Sequence, residues 1–425
     1  MLRGKLFGQN LGDKARLYFI QRGDCEENWN VPIKIFRREA PEIPFCNDLA
    51  GMAFDKWYEY TANQSHLDLR VELIFEGLLP LVHSFNEYTD EDVKTGMTYI
   101  YWVEADSFDE HTILGPLGLK VRSRDVWWPY DKWVEEMNKI QSDYPDIVSI
   151  KQYGWSTMRR ALPGMSIGNK DNAIALMGAV HASETGPELL LKAVRFMLES
   201  NFDLLNKIGV AVFPAVCVDV REETVNGVPH YQRLNHNGVD LNRNFDYFWR
   251  EDFVYGMSNN MYGAETYHGP FPNSETEAEA AIAFLKDVTP NALFVYDNGS
   301  VITEDKMYYH GVPVDTDSFE YSTKLAYIYS KAFRTNNEGC GTFTADPITF
   351  PYDEAVFRNS GNPTGILDGW AARHFGIPAF NMQYAGSEEG KVSLTDDTTL
   401  ELLNQWALRH AHALMEVMED LLKNI

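Results

Sequence analysis

Residues 173–200 read AIALMGAVHASETGPELLLKAVRFMLES, an apolar run followed by a polar loop and a helical pattern. The run AIALMGAV predicts a buried strand, because it is continuously apolar and ends in polar residues. PELLLKAVRFMLES has the apolar spacing of an amphipathic helix that begins near Pro187. His181 and Glu184 lie between the two elements, at the end of the strand, where α/β proteins place their ligand sites.

The same alternation continues on both sides of this stretch. Strands are predicted for GVAVFPAV and ALFVY, and helices for YDKWVEEMNKIQSDYP, SETEAEAAIAFLKDV and the closing segment from Leu400. Strands that alternate with helices indicate an α/β fold. We therefore expect one α/β domain over residues 126–425.

Residues 1–125 have a different pattern. Short apolar or alternating runs such as ARLYFI, LDLRVELIFEG and MTYIYWVEA are separated by polar turns, with little helical periodicity. This pattern is typical of strands in an all-β unit. We predict an N-terminal β-sandwich that serves as an accessory domain.

Composition limits the partners. The chain has 62 acidic and 37 basic residues, a formal net charge of −25, which argues against nucleic acid or an anionic membrane as a partner. No stretch approaches the roughly 18 uninterrupted apolar residues of a membrane span, so a soluble protein is expected. The 4 cysteines have no CxxC spacing, which argues against a cysteine zinc site. We predict a cytoplasmic protein if Met1 is the native start, with secretion as the alternative.

The sequence HASE suggests a metal site. An imidazole at a strand end and a carboxylate three residues later can bind one cation, and zinc accepts both nitrogen and oxygen ligands. A His-x-x-Glu pair also arises by chance, so the alternative for His181 is an ordinary loop histidine.

A second stretch, QRLNHNGVDLNRNF at residues 232–245, makes the site specific. It resembles the zinc carboxypeptidases of the carboxypeptidase A and B type. ETYHGPFPNSETEAEAAIAFLKDV and GILDGWAARHFGIPAF resemble further segments of that family, and the likeness covers roughly residues 127–425. The resemblance implies a mixed parallel and antiparallel sheet flanked by helices, a zinc cofactor, and peptide or protein C-termini as partners.

The resemblance assigns roles to three residues of this stretch. Asn242 and Arg243 correspond to substrate-binding positions, and Arg233 to the arginine that stabilises the oxyanion. The chemistry agrees, because a guanidinium binds a carboxylate through two hydrogen bonds and stabilises developing negative charge. The alternative for the two arginines is a surface salt bridge.

The third zinc ligand departs from the family pattern. The family has a histidine after the strand that corresponds to ALFVY, and here that position falls on Asp297, or on Tyr296 with one residue of slip. We predict His181, Glu184 and Asp297 as the ligands, since a carboxylate binds zinc and a neutral tyrosine rarely does. The alternative is that Asp297 only begins a polar turn.

The catalytic base departs as well. The family glutamate that takes a proton from the zinc-bound water corresponds to Gln383, and an amide cannot perform that step. Glu388 or Glu389 in the following GSEEG could replace it, or could belong to a solvated turn.

Two further family positions differ. The arginine that the family often carries between the zinc histidine and glutamate is Ser183 here. The tyrosine that closes over the substrate has no secure counterpart, with Phe357 nearest and Tyr352 as an alternative.

Asp368 lies at or near the position that forms the base of the family's side-chain pocket. A carboxylate there would favour a basic C-terminal residue by charge pairing. One residue of slip would place Leu367 or Gly369 at the same position.

These residues leave three functions open. The first is a metallocarboxypeptidase that hydrolyses C-terminal residues of peptides. The second is a catalytically impaired pseudo-peptidase that binds peptide C-terminal carboxylates. The third is a hydrolase of a non-peptide amide.

Overall fold

The computed structural model describes residues 5–19, 32–40, 63–78, 81–82, 85–107, 110–182, 184, 186–229, 232–250, 258–296, 306–309, 317–335, 348–349, 364–383 and 398–424. The chain is divided into two compact units. The first comprises Met1–Pro129 and Glu223–Tyr231, and the second Tyr130–Glu222 and Gln232–Ile425. The accessory and catalytic roles of residues 1–125 and 126–425 stay predictions.

The first unit consists of two four-stranded antiparallel sheets. Their strands are β1 (Phe7–Asn10), β2 (Ala15–Phe19), β3 (Ile33–Glu39), β4 (Glu72–Gly77), β5 (Leu81–Val82), β6 (Phe85–Asp90), β7 (Thr98–Ser107) and β8 (Glu110–Lys120). One sheet has the order β1-β2-β6-β5 and the other β4-β3-β7-β8.

Alternate residues of these strands form a shared core. In β2 the buried residues include Leu17 and Phe19, and in β3 Ile33 and Ile35, so each sheet turns one face inward. The same cluster contains residues from both sheets. Two sheets around one apolar core are compatible with the predicted β-sandwich.

Four helices of the second unit, Tyr130–Asp143, Pro187–Ser200, Thr276–Val288 and Leu400–Asn424, follow the predicted amphipathic segments closely, and the other described helices were not predicted from apolar periodicity. The described helices are α1 (Tyr130–Asp143), α2 (Pro187–Ser200), α3 (Phe202–Leu205), α4 (Val218–Val225), α5 (Thr276–Val288), α6 (Asp317–Thr335), α7 (Leu367–Phe375) and α8 (Leu400–Asn424). The last of these packs against both α2 and α6. Within the described ranges, no helix is long and apolar enough to cross a membrane.

The second unit is built on an eight-stranded mixed sheet. Its strands are β9 (Val148–Trp155), β10 (Ala161–Ile167), β11 (Ala173–Gly178), β12 (Gly209–Phe213), β13 (Ala292–Tyr296), β14 (Lys306–Tyr309), β15 (Ile348–Thr349) and β16 (Ala379–Gln383). Their order is β15-β14-β16-β13-β11-β12-β10-β9. The pairs among β12, β11, β13 and β16 are parallel, and β9, β10 and β14 run antiparallel to neighbours.

The parallel strands in the middle of the sheet end at the same edge. Gly178 of β11 pairs with Tyr296 of β13, which in turn pairs with Met382 of β16. All six residues of β11 and all five of β13 are buried, and each large apolar side chain among them contributes about 1.5–3 kcal/mol by leaving water. The mixed α/β architecture is confirmed, and this edge is where the predicted site residues follow their strands.

Candidate metal and substrate site

The loop after β11 brings His181 and Glu184 face to face. Nδ1 of His181 contacts Oε1 of Glu184, and the His181 amide donates to Oε2 at 2.9 Å. The Glu184 amide donates to the His181 carbonyl at 3.3 Å, which closes the turn. Both side chains are buried, so the contact between them lies in the interior of the protein.

Asp240 joins this pair to the substrate-binding stretch. Its Oδ1 lies 2.9 Å from Nε2 of His181 and accepts the Asn242 amide at 3.0 Å. Its Oδ2 accepts Nε of Arg233 at 2.7 Å. One fully buried carboxylate therefore fixes a predicted zinc ligand, the predicted oxyanion arginine and the backbone of a predicted substrate-binding residue.

The charges explain why this carboxylate stays ionised in the interior. Burial alone would raise the pKa of Asp240. The charges of Arg233 and Arg243 and the bond to His181 instead hold that pKa well below its usual range. Asp240 is an anion that its cationic neighbours stabilise.

His181 lies between two carboxylates. Burial and the Arg233 charge oppose its protonation, but Glu184 and Asp240 outweigh them and raise the pKa of His181 well above its usual range. With Nε2–H donated to Asp240, Nδ1 faces the Glu184 carboxylate, so that either a proton or a metal ion must lie between these two atoms. An imidazole nitrogen and a carboxylate oxygen are ligands that zinc accepts. These two residues fit a zinc site.

The predicted third ligand, Asp297, lies outside the described residues. Among the residues that the structure does describe, no group of three His, Cys, Asp or Glu side chains is arranged to hold a metal. Three-residue ligation by His181, Glu184 and Asp297 therefore stays a prediction.

Tyr296, the alternative third ligand, packs with the helices. Its hydroxyl lies 3.2 Å from that of Tyr329 in α6, and its ring meets His410 of α8 edge-on at 5.1 Å between centroids. The Tyr329 hydroxyl also contacts Nδ1 of His410. Burial raises the pKa of Tyr296, and burial together with Arg409 lowers the pKa of His410 to about 3, so both are neutral. Tyr296 is thus part of the packing between the sheet and these two helices.

Asn242 and Arg243 lie in a short 3-10 helix, Leu241–Arg243, that Asp240 caps. Both side chains are buried. Oδ1 of Asn242 accepts the Leu367 amide at 3.0 Å, and Nη1 of Arg243 donates to the Asn242 carbonyl at 2.6 Å. The local backbone thus holds both predicted substrate-binding side chains.

Gly365 brings the segment before α7 against this 3-10 helix. Its carbonyl accepts the Phe245 amide at 3.0 Å and its amide donates to the Tyr247 carbonyl at 2.8 Å. The residue has a φ of +68°, and a Cβ here would lie 1.8 Å from the Arg243 carbonyl oxygen. Only glycine allows this approach.

Asp368 is fully buried in the first turn of α7. Leu367 and Gly369, the alternatives at this position, are also in that turn, and a Cβ on Gly369 would lie 2.7 Å from the Tyr247 ring. Through the Leu367 amide, the turn is bonded to Asn242. The buried acid and the predicted carboxylate-binding pair therefore belong to one packed region.

Gln383 is the last residue of β16, at the edge where β11 and β13 also end. Its backbone pairs with Lys306 of β14. Ser183, Tyr352, Phe357, Glu388 and Glu389 lie outside the described residues, so a replacement base and a closing tyrosine stay predictions.

Glu275 supports the loop that carries Arg233. Its Oε2 accepts the side-chain amides of Asn235 at 2.6 Å and Asn237 at 2.8 Å, and its own amide donates to Oδ1 of Asn244 at 3.1 Å. Oδ1 of Asn235 accepts the Val239 amide at 3.0 Å. The segment NSETEAEA thus braces both ends of the GVDLNRN stretch.

Sequence reasoning missed Asp240 and Glu275. Both residues lie in stretches that were quoted for their family likeness, but neither the likeness nor the residue types suggested a function for these two carboxylates. For Asp240 a local signal was present, because an aspartate just before a turn of helix is a typical N-cap.

Comparison with known proteins identifies the family of the chain. The family model described as zinc carboxypeptidase matches residues 133–404, more than half of the chain, and the chain belongs to that family. The catalytic chain of carboxypeptidase N from Homo sapiens is 24% identical over 336 residues, which cover 70% of this chain and 69% of its own. Carboxypeptidase A2 from Mus musculus is 30% identical over 168 residues, 36% of this chain and 39% of its own.

Solved structures share the fold. Bovine thrombin-activatable fibrinolysis inhibitor, solved in complex with tick carboxypeptidase inhibitor, aligns with a TM-score of 0.57 at 18% identity and covers 71% of this chain and 99% of its own. Carboxypeptidase A from Helicoverpa armigera has a TM-score of 0.57 at 12% identity, with coverages of 94% and 99%. These similarities confirm the carboxypeptidase-like fold.

Proposed function

We propose that this protein is a zinc metallocarboxypeptidase that removes C-terminal residues from peptides. The observation that supports it best is the position of His181, which faces Glu184 with one ring nitrogen and Asp240 with the other. Because Asp240 also binds Arg233, the residues of the metal site and of the substrate site share one buried carboxylate.

His181, Glu184 and Asp297 would hold the zinc in this proposal. When bound, zinc would polarise the scissile carbonyl and lower the pKa of a bound water. Asp240 keeps the proton of His181 on Nε2 and orients Arg233 through its Nε. We assign Arg233 to the oxyanion that develops on the scissile carbonyl.

Asn242 and Arg243 would bind the terminal carboxylate, or Arg243 the scissile carbonyl. Their backbone is fixed by Asp240 and by the close approach of Gly365 before substrate arrives, which lowers the entropic cost of binding. Asp368 would favour a C-terminal Lys or Arg.

A second function, binding without hydrolysis, is favoured by Gln383. This residue ends β16 where the family has its general base, and an amide cannot take a proton from water. On this alternative the chain retains Arg233, Asn242 and Arg243 for capturing peptide C-termini.

One experiment separates the two functions. The zinc-supplemented protein is incubated with a peptide mixture in which each sequence occurs with a free and with an amidated C-terminus, and the products are read by mass spectrometry. Loss of single C-terminal residues from the free-acid peptides only, abolished by a chelator, supports a carboxypeptidase.

The controls decide the remaining outcomes. His181→Gln should abolish cleavage, whereas Arg195→Met, which removes partly buried ion pairs to Glu136 and Asp143, should not. Intact peptides that are nevertheless retained by the protein in their free-acid form support binding without hydrolysis. Intact peptides with no preference for a free carboxylate would contradict both functions.

A further inference from the structure

Arg221 lies at the backbone of the metal-binding loop, although it belongs to none of the motifs quoted above. It is in helix α4 and is 2% exposed. Its Nη1 donates to the Ala182 carbonyl at 3.2 Å and to the Glu184 carbonyl at 2.6 Å. Its Nη2 contacts Oε1 of Glu188 in the first turn of α2. A buried guanidinium therefore binds the backbone of the predicted zinc ligand Glu184 and that of Ala182, which directly follows the other predicted ligand, His181.

The rest of the loop is held by other contacts. At its start, the amides of Val216 and Cys217 donate to the carbonyl of Ala179 at 3.1 and 2.9 Å. At its end, Gly186 packs so tightly on the Pro214 carbonyl that a Cβ would lie 2.7 Å from that oxygen. Arg221 bonds to the part of the loop between these two contacts.

The hydrogen bonds from Arg221 help to position the predicted zinc ligand Glu184. One nitrogen of Arg221 donates to the carbonyls of both Ala182 and Glu184, and these bonds hold the backbone at those two residues. The Glu184 carboxylate is then held where it meets Nδ1 of His181. An arginine suits this task because its planar group presents several donors in a rigid arrangement and stays charged at every relevant pH.

We infer that Arg221 is a positioning residue for the metal site, which holds the His181–Glu184 loop in its zinc-binding form. The ion pair with Glu188 fixes the guanidinium against α2. The two hydrogen bonds from the guanidinium to the Ala182 and Glu184 carbonyls then fix the backbone that carries the ligands. This inference rests on the proposed zinc site but not on peptide hydrolysis. Residues that orient zinc ligands from behind typically change metal affinity about 10–100-fold when they are replaced.

The test uses three variants of the full-length chain. Arg221→Lys keeps the charge but loses the planar arrangement of donors. The double variant Arg221→Met with Glu188→Leu removes both charges, so that no unpaired charge remains buried and the fold is preserved. Arg195→Met is the matched control, because it removes a partly buried, ion-paired arginine from α2, the helix that also carries Glu188.

Two quantities are measured for each variant. The first is the zinc dissociation constant, from competition with a chromophoric chelator. The second is the urea midpoint of unfolding in excess EDTA, which reports the stability of the metal-free protein. We expect both Arg221 variants to bind zinc about 10–100-fold more weakly, and Arg195→Met to bind it as the wild type does.

The outcomes separate this inference from the proposed function. Zinc affinities within twofold of the wild type in both Arg221 variants would overturn the positioning role, even if their unfolding midpoints fall. Wild-type protein that binds no zinc would overturn the metal site itself and the inference with it. Weaker zinc binding by the variants supports the inference whether or not the wild type cleaves peptides.

Discussion

Two buried carboxylates in this protein, Asp90 and Asp240, differ in what their partners require. Asp90, in the first unit, accepts two hydrogen bonds from Nη1 of Arg37 at 3.0 and 2.9 Å and one from the Tyr101 hydroxyl at 3.0 Å. Asp240, in the second unit, accepts a hydrogen bond from Nε of Arg233 at 2.7 Å, and its other oxygen lies 2.9 Å from Nε2 of His181. Both are nearly inaccessible to solvent.

The difference lies in the histidine. Arg37 supplies a permanent positive charge and the Tyr101 hydroxyl supplies a proton, so the network around Asp90 is complete without a bound ligand. His181 lies against Asp240 on one side and Glu184 on the other, so a proton or a metal ion must lie between the imidazole and the second carboxylate. Burial of a charge is thus a weak sign of function, whereas an imidazole between two carboxylates is a strong one.

The largest expected effect concerns the base that the Asp240 network does not supply. Gln383→Glu should restore a carboxylate at the end of β16 and raise kcat/KM for chelator-sensitive release of C-terminal residues by about 10²–10⁴. Steady-state assays on a free-acid dipeptide reporter measure the change. Gln383→Asn is the matched control and should stay at the wild-type rate. A Gln383→Glu variant no faster than the wild type would show that another group serves as the base, or that peptides are not the substrate.

The Asp90 network should affect stability and leave metal binding unchanged. Asp90→Asn removes the buried carboxylate that pairs with Arg37, whereas the more exposed Glu72 and Asp92 still pair with it. The free energy of unfolding of the first unit should therefore fall by about 1.5–3 kcal/mol, the contribution of a hydrogen bond to a charged group. Urea titration monitored by fluorescence measures the loss. The zinc affinity of the folded variant should equal that of the wild type, and a weakened affinity would remove the contrast between the two networks.

Asp240→Asn should weaken metal binding. The amide keeps the shape of the carboxylate but removes the charge that orients His181, so zinc affinity should fall about 10–100-fold. Competition titration with a chelator measures the change. Asp246→Asn replaces an exposed aspartate six residues further along and serves as the control. Equal affinities in the two variants would contradict the role of Asp240.

The smallest expected effect is on substrate preference. Asp368→Asn should reduce the preference for C-terminal Lys over Leu roughly tenfold, because a bond to a charged group contributes about 1.5–3 kcal/mol. Competition between two peptides that differ only in the last residue gives the ratio. The rate with the Leu peptide is the internal control, and an unchanged ratio would show that Asp368 has a structural role.

The sequence predicts much of this fold but only part of the site. The apolar pattern located β11 and α2 to within two residues. This is possible because the spacing of the buried side chains in a strand or a helix is set by residues close together in the sequence. The strand ends at Gly178 where the pattern predicted Val180, since Ala179 turns into a left-handed conformation with a φ of +45°. The apolar pattern does not reveal such a turn, because Ala179 is itself an apolar residue.

The contacts across the chain were beyond pattern reasoning. The His181–Asp240 bond joins residues 59 positions apart, and the Arg221–Ala182 bond joins residues 39 positions apart. An isolated Asp or Arg in a sequence has the same appearance whether it lies on the surface or meets a partner inside. Family likeness therefore located the residues expected to touch zinc and substrate, and the structure was needed to find those that orient them.

The most direct test of the account is the zinc content of the protein after equilibrium dialysis, measured by elemental mass spectrometry for the wild type, His181→Gln and Asp90→Asn. We predict one zinc ion per chain in the wild type and in Asp90→Asn, with loss of the ion in His181→Gln. A wild type without zinc, or a His181→Gln variant that retains it, would contradict the assignment of the site at His181 and Glu184.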